Sequence, residues 1–211
     1  MNSKNRRNFI KGGIALSAVG LLKASNHEIS PTPKETKGPF YPIIAQKDKD
    51  FDLTKVEGRK EEAKGQKIII EGQVLDTSGK PLENVTVDLW QANAAGRYHH
   101  PHDDNEAPVD PNFQGWAIVQ SGKEGKFRFV TVIPGAYKIT ETWSRPPHIH
   151  FKVTKRGYQE LITQMYFPGN KLNTQDGILQ NKSKAEIKLM IATKANDKPE
   201  TYSYKIVLEK V

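Results

Sequence analysis

The chain has 211 residues, of which 27% are charged, and its 32 lysines and arginines against 24 acidic residues give a formal net charge of +8. Without cysteine it cannot hold a thiolate zinc site, an iron–sulfur cluster, a cysteine nucleophile or a disulfide scaffold. No run approaches the roughly 20 apolar residues that span a bilayer, and the length fits one domain of about 150 residues with an appendage. The basic excess leaves nucleic-acid binding open until the charges are located.

The first 26 residues have the layout of an export signal. A basic front with Lys4 precedes an apolar run at residues 12–22, which is too short to cross a bilayer. The pair Arg6-Arg7, followed by Phe9 and Lys11, resembles the twin-arginine export signal of bacteria, and an ordinary secretory signal is the alternative. We therefore expect a periplasmic protein. No cysteine follows the apolar run, which argues against a lipid anchor.

The export segment also accounts for most of the basic excess. Residues 1–26 contain five basic and no acidic side chains, so 27 basic and 24 acidic side chains remain in the mature chain. A net charge of +3 no longer favours nucleic acid as a partner.

The mature chain is expected to have two parts. Residues 27–66, rich in Pro, Lys, Glu and Gly, predict an extended arm. Residues 67–211 contain short β-branched and aromatic runs separated by turns, which predict a single antiparallel β-sandwich of the all-β class with long loops. The strand candidates are KIIIEGQVLD, VTVDLWQA, WAIVQS, KFRFVTVI, AYKIT, HIHFKVT, LITQMYF, AEIKLMIA and YSYKIVLEKV. Residues 184–189 fit a short helix equally well.

Two long loops, at residues 92–115 and 140–147, are the places where we expect function. The second loop leads into RPPHIHF, in which His148 and His150 are two residues apart. On a strand this spacing puts both imidazoles on one face, with β-carbons roughly 6.5 to 7 Å apart, and turns Ile149 toward the core. That geometry suits two ligands of one metal ion, although H-x-H alone also fits two structural histidines.

Further ligands would have to be oxygen or nitrogen donors. Carboxylates and the phenol of Tyr98 lie in the first long loop, and Tyr137 lies on a predicted strand after Pro134-Gly135. A phenolate is a hard anionic oxygen that suits a trivalent ion such as ferric iron, which would deprotonate it outright. Either tyrosine could instead be a buried sandwich tyrosine with a bonded hydroxyl.

Taken together, the motifs resemble those of the intradiol ring-cleavage dioxygenases, with the protocatechuate 3,4-dioxygenase β-subunits as the nearest group. They follow the family order from residue 38 to about 170: GPFYP, DLWQANAAGRYHHP, DPNFQGW, PGAY, RPPHIHF and LITQMYFPGN. The resemblance implies one mononuclear non-haem Fe(III) held by Tyr98, Tyr137, His148 and His150.

The resemblance also assigns roles around the metal. Arg145 matches the arginine that stabilises negative charge on bound substrate, and Gln164 matches a glutamine next to the ligands. Tyr41 matches a tyrosine that lines the substrate pocket. Trp116, like Gln114, replaces a smaller residue of the family pattern, and we expect it near the substrate.

The implied reaction cleaves a catechol-type ring between its two hydroxyl-bearing carbons with O2 and yields a cis,cis-muconate-type diacid. Tyr137, displaced from the metal, would act as a general base. The expected partners are the catechol and O2, without nucleic acid or a stable membrane anchor, and a homo-oligomer remains open.

An alternative comes from a different class of protein. GQVLDTSGKPLENVTVDLW and GKFRFVTVIPGAYKIT also resemble prealbumin-like sandwich modules, which bind or space rather than catalyse. The two hypotheses differ in the expected ligand set. A pure binding module has no need to place four such side chains together, namely Tyr98, Tyr137, His148 and His150.

Overall fold

The computed structural model of the protein describes residues 28–211, so the export signal expected in residues 1–26 lies outside the described residues. The strands in chain order are β1 (Lys67–Asp76), β2 (Thr86–Trp90), β3 (Trp116–Gln120), β4 (Lys126–Val132), β5 (Tyr137–Lys138), β6 (Ser144–Arg145), β7 (His148–Thr154), β8 (Leu161–Tyr166), β9 (Thr193–Lys194) and β10 (Thr201–Leu208). Two short α-helices, α1 (Gly177–Gln180) and α2 (Lys184–Met190), and two 3-10 turns at Lys123–Gly125 and Lys171–Thr174 complete the elements.

Two four-stranded sheets pack face to face, as the all-β sandwich prediction requires. The first sheet has the order β4-β1-β10-β9 and the second the order β3-β2-β7-β8. All pairings are antiparallel except that of β1 with β10, which is parallel. More than a hundred residues separate these two strands along the chain, so their connection is long enough for a parallel pair.

The core forms between the sheets because each strand alternates its side chains. In β1, Ile68 and Ile70 point inward, and in β7, Ile149 and Phe151 do the same from the other sheet. Each such side chain stabilises the fold by about 1.5 to 3 kcal/mol when it leaves water completely. The outward side chains Asp88, Trp90, His148 and His150 are buried as well, so loops cover this part of the second sheet from outside.

The ambiguous segment near residue 184 is a helix, and its reading as a strand was wrong. Ser183 caps α2 by accepting a hydrogen bond from the Glu186 backbone N–H, and the Glu186 carboxylate accepts one from the Ser183 N–H. This capping box satisfies backbone donors that a strand would leave unpaired. Met190 then packs with Leu179 and Tyr166 in a small cluster outside the main core. Within residues 28–211 no helix has the length and apolarity of a membrane span.

Residues 28–66 contain no helix and no extended strand, and they run along the edges of both sheets. The Leu53 N–H donates to the Val130 carbonyl of β4, and the Glu35 N–H donates to the Ile162 carbonyl of β8. Both β4 and β8 are outermost strands, so the arm satisfies backbone groups that would otherwise be open for pairing with another chain. It also carries residues 38–42 across the outer face of the second sheet.

Candidate active site

The candidate site lies on the outer face of the second sheet. His148 and His150 point outward from β7, whereas Ile149 between them is 0% exposed and belongs to the core. The sheet register places Trp90 of β2 and Gln164 of β8 on either side of His150. The alternation that fills the core with Ile149 therefore also brings the two imidazoles together.

The structure brings together the four residues expected to bind metal. The ring centroids of His148 and His150 are 4.9 Å apart, those of Tyr98 and Tyr137 are 5.7 Å apart, and those of Tyr137 and His148 are 5.8 Å apart. The Tyr98 hydroxyl oxygen lies 3.5 Å from Nε2 of His148. Across residues 28–211 no group of three His, Cys, Asp or Glu residues is arranged to hold a metal. A metal held at this cluster would therefore need the tyrosines as ligands.

The two tyrosines reach the cluster from separate loops. Tyr137 pairs with Arg145 in the small hairpin of β5 and β6, so both side chains emerge next to each other. The backbone N–H of Tyr98 donates to the Asp103 carboxylate at 2.7 Å. The Asn93 side chain closes the preceding turn by accepting from the Arg97 N–H. Asx-type bonds of this kind hold a loop without regular secondary structure.

Hydrogen bonding defines which nitrogen of His148 is available. Nδ1 lies 2.6 Å from the Pro146 carbonyl oxygen, which can only accept, so Nδ1 carries the proton and Nε2 keeps its lone pair. The His150 ring stacks on Trp90 at 4.8 Å, and its buried Nδ1 has no hydrogen-bond partner among the described residues. Burial, followed by the nearby Arg145 charge, lowers the pKa of His150 to about 3, so this imidazole is a neutral donor at pH 7.

The phenols are held in their neutral form when no cation is near. Burial raises the pKa of Tyr98 well above its usual value, and the neighbouring Tyr137 raises it further. Burial also raises the pKa of Tyr137, although the Arg145 charge partly opposes this effect. Only a strong cation could therefore ionise both phenols at neutral pH.

Arg145 is buried beside this cluster in a polar network. Its Nη2 donates to Oε1 of Gln164 at 2.6 Å and to the Tyr166 hydroxyl at 3.0 Å. Its Nε lies 3.0 Å from Oδ1 of Asp176. Arg145 and Gln164 were expected here from sequence, whereas Tyr166 and Asp176 were not. Tyr166 lies two residues after Gln164 on β8, a spacing that could have found it, but Asp176 has no local signal.

Tyr41 and Trp116, both expected near the substrate, lie one layer away from the four-residue cluster. Their side chains donate to the two oxygens of Asp88, at 2.8 Å from Tyr41 and 2.7 Å from Trp116. The Tyr41 ring meets Trp90 edge-on at 4.9 Å, so Trp90 lies between Tyr41 and His150. Gln114, the other departure from the family pattern, anchors the arm through backbone carbonyls of residues 52 and 55.

Phe40 is the residue of GPFYP that faces the cluster, and the sequence reasoning missed it. Its ring centroid lies 4.8 Å from that of Tyr98 and 6.4 Å from that of Tyr137. The chain turns at residues 39–41, and in this turn Tyr41 points to Asp88 while Phe40 lies over the tyrosines. Phe40 thus supplies an apolar wall.

Comparisons with known proteins identify the family. A family model described as Dioxygenase matches residues 36–210. The chain is 39% identical over 190 residues to the protocatechuate 3,4-dioxygenase beta chain of Burkholderia cepacia, an alignment that covers 84% of this chain and 80% of that protein. The chain belongs to the intradiol ring-cleavage dioxygenase family.

Solved structures support the same assignment. The 3-chlorocatechol 1,2-dioxygenase of Rhodococcus opacus 1CP superposes with a TM-score of 0.67 at 26% identity, over 89% of this chain and 74% of that one. The dioxygenase domain of a carbohydrate-binding fusion protein from Streptomyces sp. SirexAA-E gives 0.65 at 25% identity, over 86% of this chain and all of that domain. The chain spans only 43% to 63% of the catechol, chlorocatechol and hydroxyquinol 1,2-dioxygenases that it also matches. Membership of an enzyme family does not favour the prealbumin-like binding module.

In this dioxygenase a close backbone contact joins the two tyrosine loops. Gly135 stands two residues before Tyr137, and its N–H donates to the Asn93 carbonyl at 2.9 Å. A β-carbon at Gly135 would lie 2.4 Å from the Gly96 nitrogen and 2.7 Å from the Ala94 carbonyl oxygen. Because these neighbours are backbone atoms, a side chain at position 135 would push the Tyr98 loop away from Tyr137.

We therefore predict that Gly135→Ala lowers the free energy of unfolding by about 1 to 3 kcal/mol, the usual cost of an overpacked site. Urea denaturation monitored by tryptophan fluorescence measures the change. Gly122→Ala is the matched control, because its β-carbon would meet nothing closer than 3.8 Å, and it should cost less than about 1 kcal/mol. Equal stability of the two variants would contradict the close-contact explanation.

Proposed function

We propose that this dioxygenase uses O2 to cleave a catechol-type ring between its two hydroxyl-bearing carbons, giving a cis,cis-muconate-type diacid, at one Fe(III) bound by Tyr98, Tyr137, His148 and His150. The observation that carries the proposal is the buried cluster of two phenols and two imidazoles, in which Nε2 of His148 faces the Tyr98 hydroxyl at 3.5 Å. Two structural histidines would not need two phenols at the same place.

The donor set fits a ferric ion. Two phenolates balance two of its three positive charges, and a hydroxide or the substrate supplies the rest, which keeps a buried site close to neutral. The imidazoles add neutral donors, and Nδ1 of His150 is not committed to a structural hydrogen bond among the described residues. Hard oxygen donors with imidazole nitrogens are the ligands that this ion prefers.

When bound, the ferric ion would orient both catechol oxygens and draw electron density from the ring, which makes a ring carbon open to O2. A catechol must lose two protons to bind through both oxygens. The Tyr137 oxygen, displaced from the metal, would accept one of them, and a hydroxide in the site would take the other. Arg145 stabilises the negative charge that develops on the substrate. Gln164 holds Arg145, and Phe40 and Trp90 keep water from the cluster.

Protein purified with iron should be red-brown, because charge transfer from phenolate to ferric ion absorbs visible light. An oxygen electrode with catechol, protocatechuate and hydroxyquinol then tests ring cleavage and ranks the substituents. Iron analysis gives the stoichiometry, which should be one ion per chain. A colourless protein that takes up no iron and consumes no oxygen with any of the three would contradict the proposal.

Tyr137→Phe should lower kcat by about 100-fold, the usual size of a general-base contribution, while the protein retains part of its iron. Steady-state oxygen uptake and iron content measure the two effects. Tyr204→Phe is the matched control, since Tyr204 is a buried tyrosine of the opposite sheet and its hydroxyl has no hydrogen-bond partner among the described residues. Full activity of Tyr137→Phe would remove Tyr137 from the proposed reaction.

Export through the twin-arginine route is a further part of the proposal. It rests on the sequence Arg6-Arg7 with Phe9 and Lys11, and it suits an enzyme that receives its metal before it crosses the membrane. Replacing both arginines by lysine should block periplasmic delivery, measured by cell fractionation and immunoblotting. Lys4→Arg is the control that keeps the motif. Unchanged delivery of the Lys-Lys variant would favour the ordinary secretory route.

A further inference from the structure

Asp176 is a buried carboxylate whose role the proposed reaction does not yet explain. It is 0% exposed, and its Oδ1 lies 3.0 Å from Nε of Arg145. Neither carboxylate oxygen makes a hydrogen bond of good geometry with any residue that the structure describes. A buried carboxylate without a counter-charge is expensive, and the Arg145 guanidinium is the counter-charge that lies against Asp176.

Asp176 does not serve the structural purpose that its position in the chain suggests. It is the residue immediately before α1, where an aspartate normally accepts a hydrogen bond from the first free N–H groups of the helix. Here the side chain makes no capping bond. The carboxylate contacts Arg145 instead, so an explanation by helix capping fails.

The contacts of Arg145 limit the orientation of its guanidinium. Nε faces Asp176, and Nη2 is shared between Gln164 and Tyr166. Nη1 makes no hydrogen bond in the part of the chain that the structure describes, and Nε makes only the ion-pair contact with Asp176. A planar guanidinium anchored at Nε and Nη2 cannot rotate, so the direction of Nη1 is determined by its anchors.

We propose that Asp176 is a positioning residue, which fixes the Arg145 guanidinium so that its Nη1 side is presented to negative charge on the bound substrate. This inference rests on the proposed function. Arg145 pairs with Tyr137 across the β5–β6 hairpin, so an arginine held in this way lies beside the proposed base. Preorganised donors stabilise a transition state without the cost of reorienting during the reaction.

Asp176→Asn tests the proposal, because it keeps the shape of the side chain and removes its charge. Using the catechol with the highest activity, we expect kcat to fall about 10- to 100-fold, while KM and iron content change by less than about threefold. Asp76→Asn is the matched control: Asp76 is equally buried, but it closes the turn after β1 by bonding Ser78 and Lys80. Wild-type kcat in Asp176→Asn would overturn the proposal.

A double variant tests whether Asp176 acts through Arg145. In the Arg145→Lys background, Asp176→Asn should cause no further loss of kcat, because residues that act as a unit are not additive. Full additive losses in the double variant would overturn the positioning role, since Asp176 would then act by another route.

A second cycle, which combines Arg145→Met with Asp176→Asn and compares melting temperatures of the iron-free protein, separates this inference from the proposed function. The double variant should melt at a higher temperature than the sum of the two single losses predicts, because removing both partners leaves no unpaired buried charge. If the wild-type protein cleaves no catechol, the proposed function is refuted. The melting cycle would then still test whether Asp176 and Arg145 stabilise each other. Additive melting losses would overturn the inference in either case.

Discussion

The alternation of side chains along β7 connects the hydrophobic core with the site. Ile149 and Phe151 belong to the core between the sheets, and His148 and His150 therefore project from the opposite face. A shift of one residue in the pairing of β7 would exchange the two sets and expose the apolar side chains, so the core determines the position of the imidazoles. The packing that stabilises the fold is also what preorganises the candidate ligands.

The outer face of the second sheet therefore contains buried polar side chains. The imidazoles and phenols there are neutral, and the Arg145 guanidinium is paired. Burial lowers the pKa of His150 and raises that of Tyr98, so without a cation both groups are uncharged. Arg145, the cationic side chain that bonds Gln164 and Tyr166, is accompanied by Asp176. Such a site favours a bound group whose charges balance those of the residues that hold it, as, under the proposed function, a ferric ion would with one phenolate and a doubly deprotonated catechol.

Irregular segments supply most of the covering of this face. The arm passes along strands β4 and β8 and delivers Phe40 above the tyrosines, while Tyr41 binds Asp88 on the next row of the sheet. Gly135 lets the Tyr98 loop approach the turn before Tyr137. Loops held by backbone contacts to a rigid sheet can carry a precise site without secondary structure of their own.

The sequence by itself determined the sandwich and the shared face of His148 and His150, because period-two alternation is a local property of each strand. It also determined the family, because the motifs and their order can be read directly along the chain. Tertiary structure decided the parallel pairing of β1 with β10 and the helix at residues 184–190, where a strand was equally compatible. It also decided that Tyr41 and Trp116 bind Asp88, and that Asp176 reaches Arg145. Those contacts join residues far apart in the chain, and their partners are selected by which loops cover the sheet rather than by any local pattern.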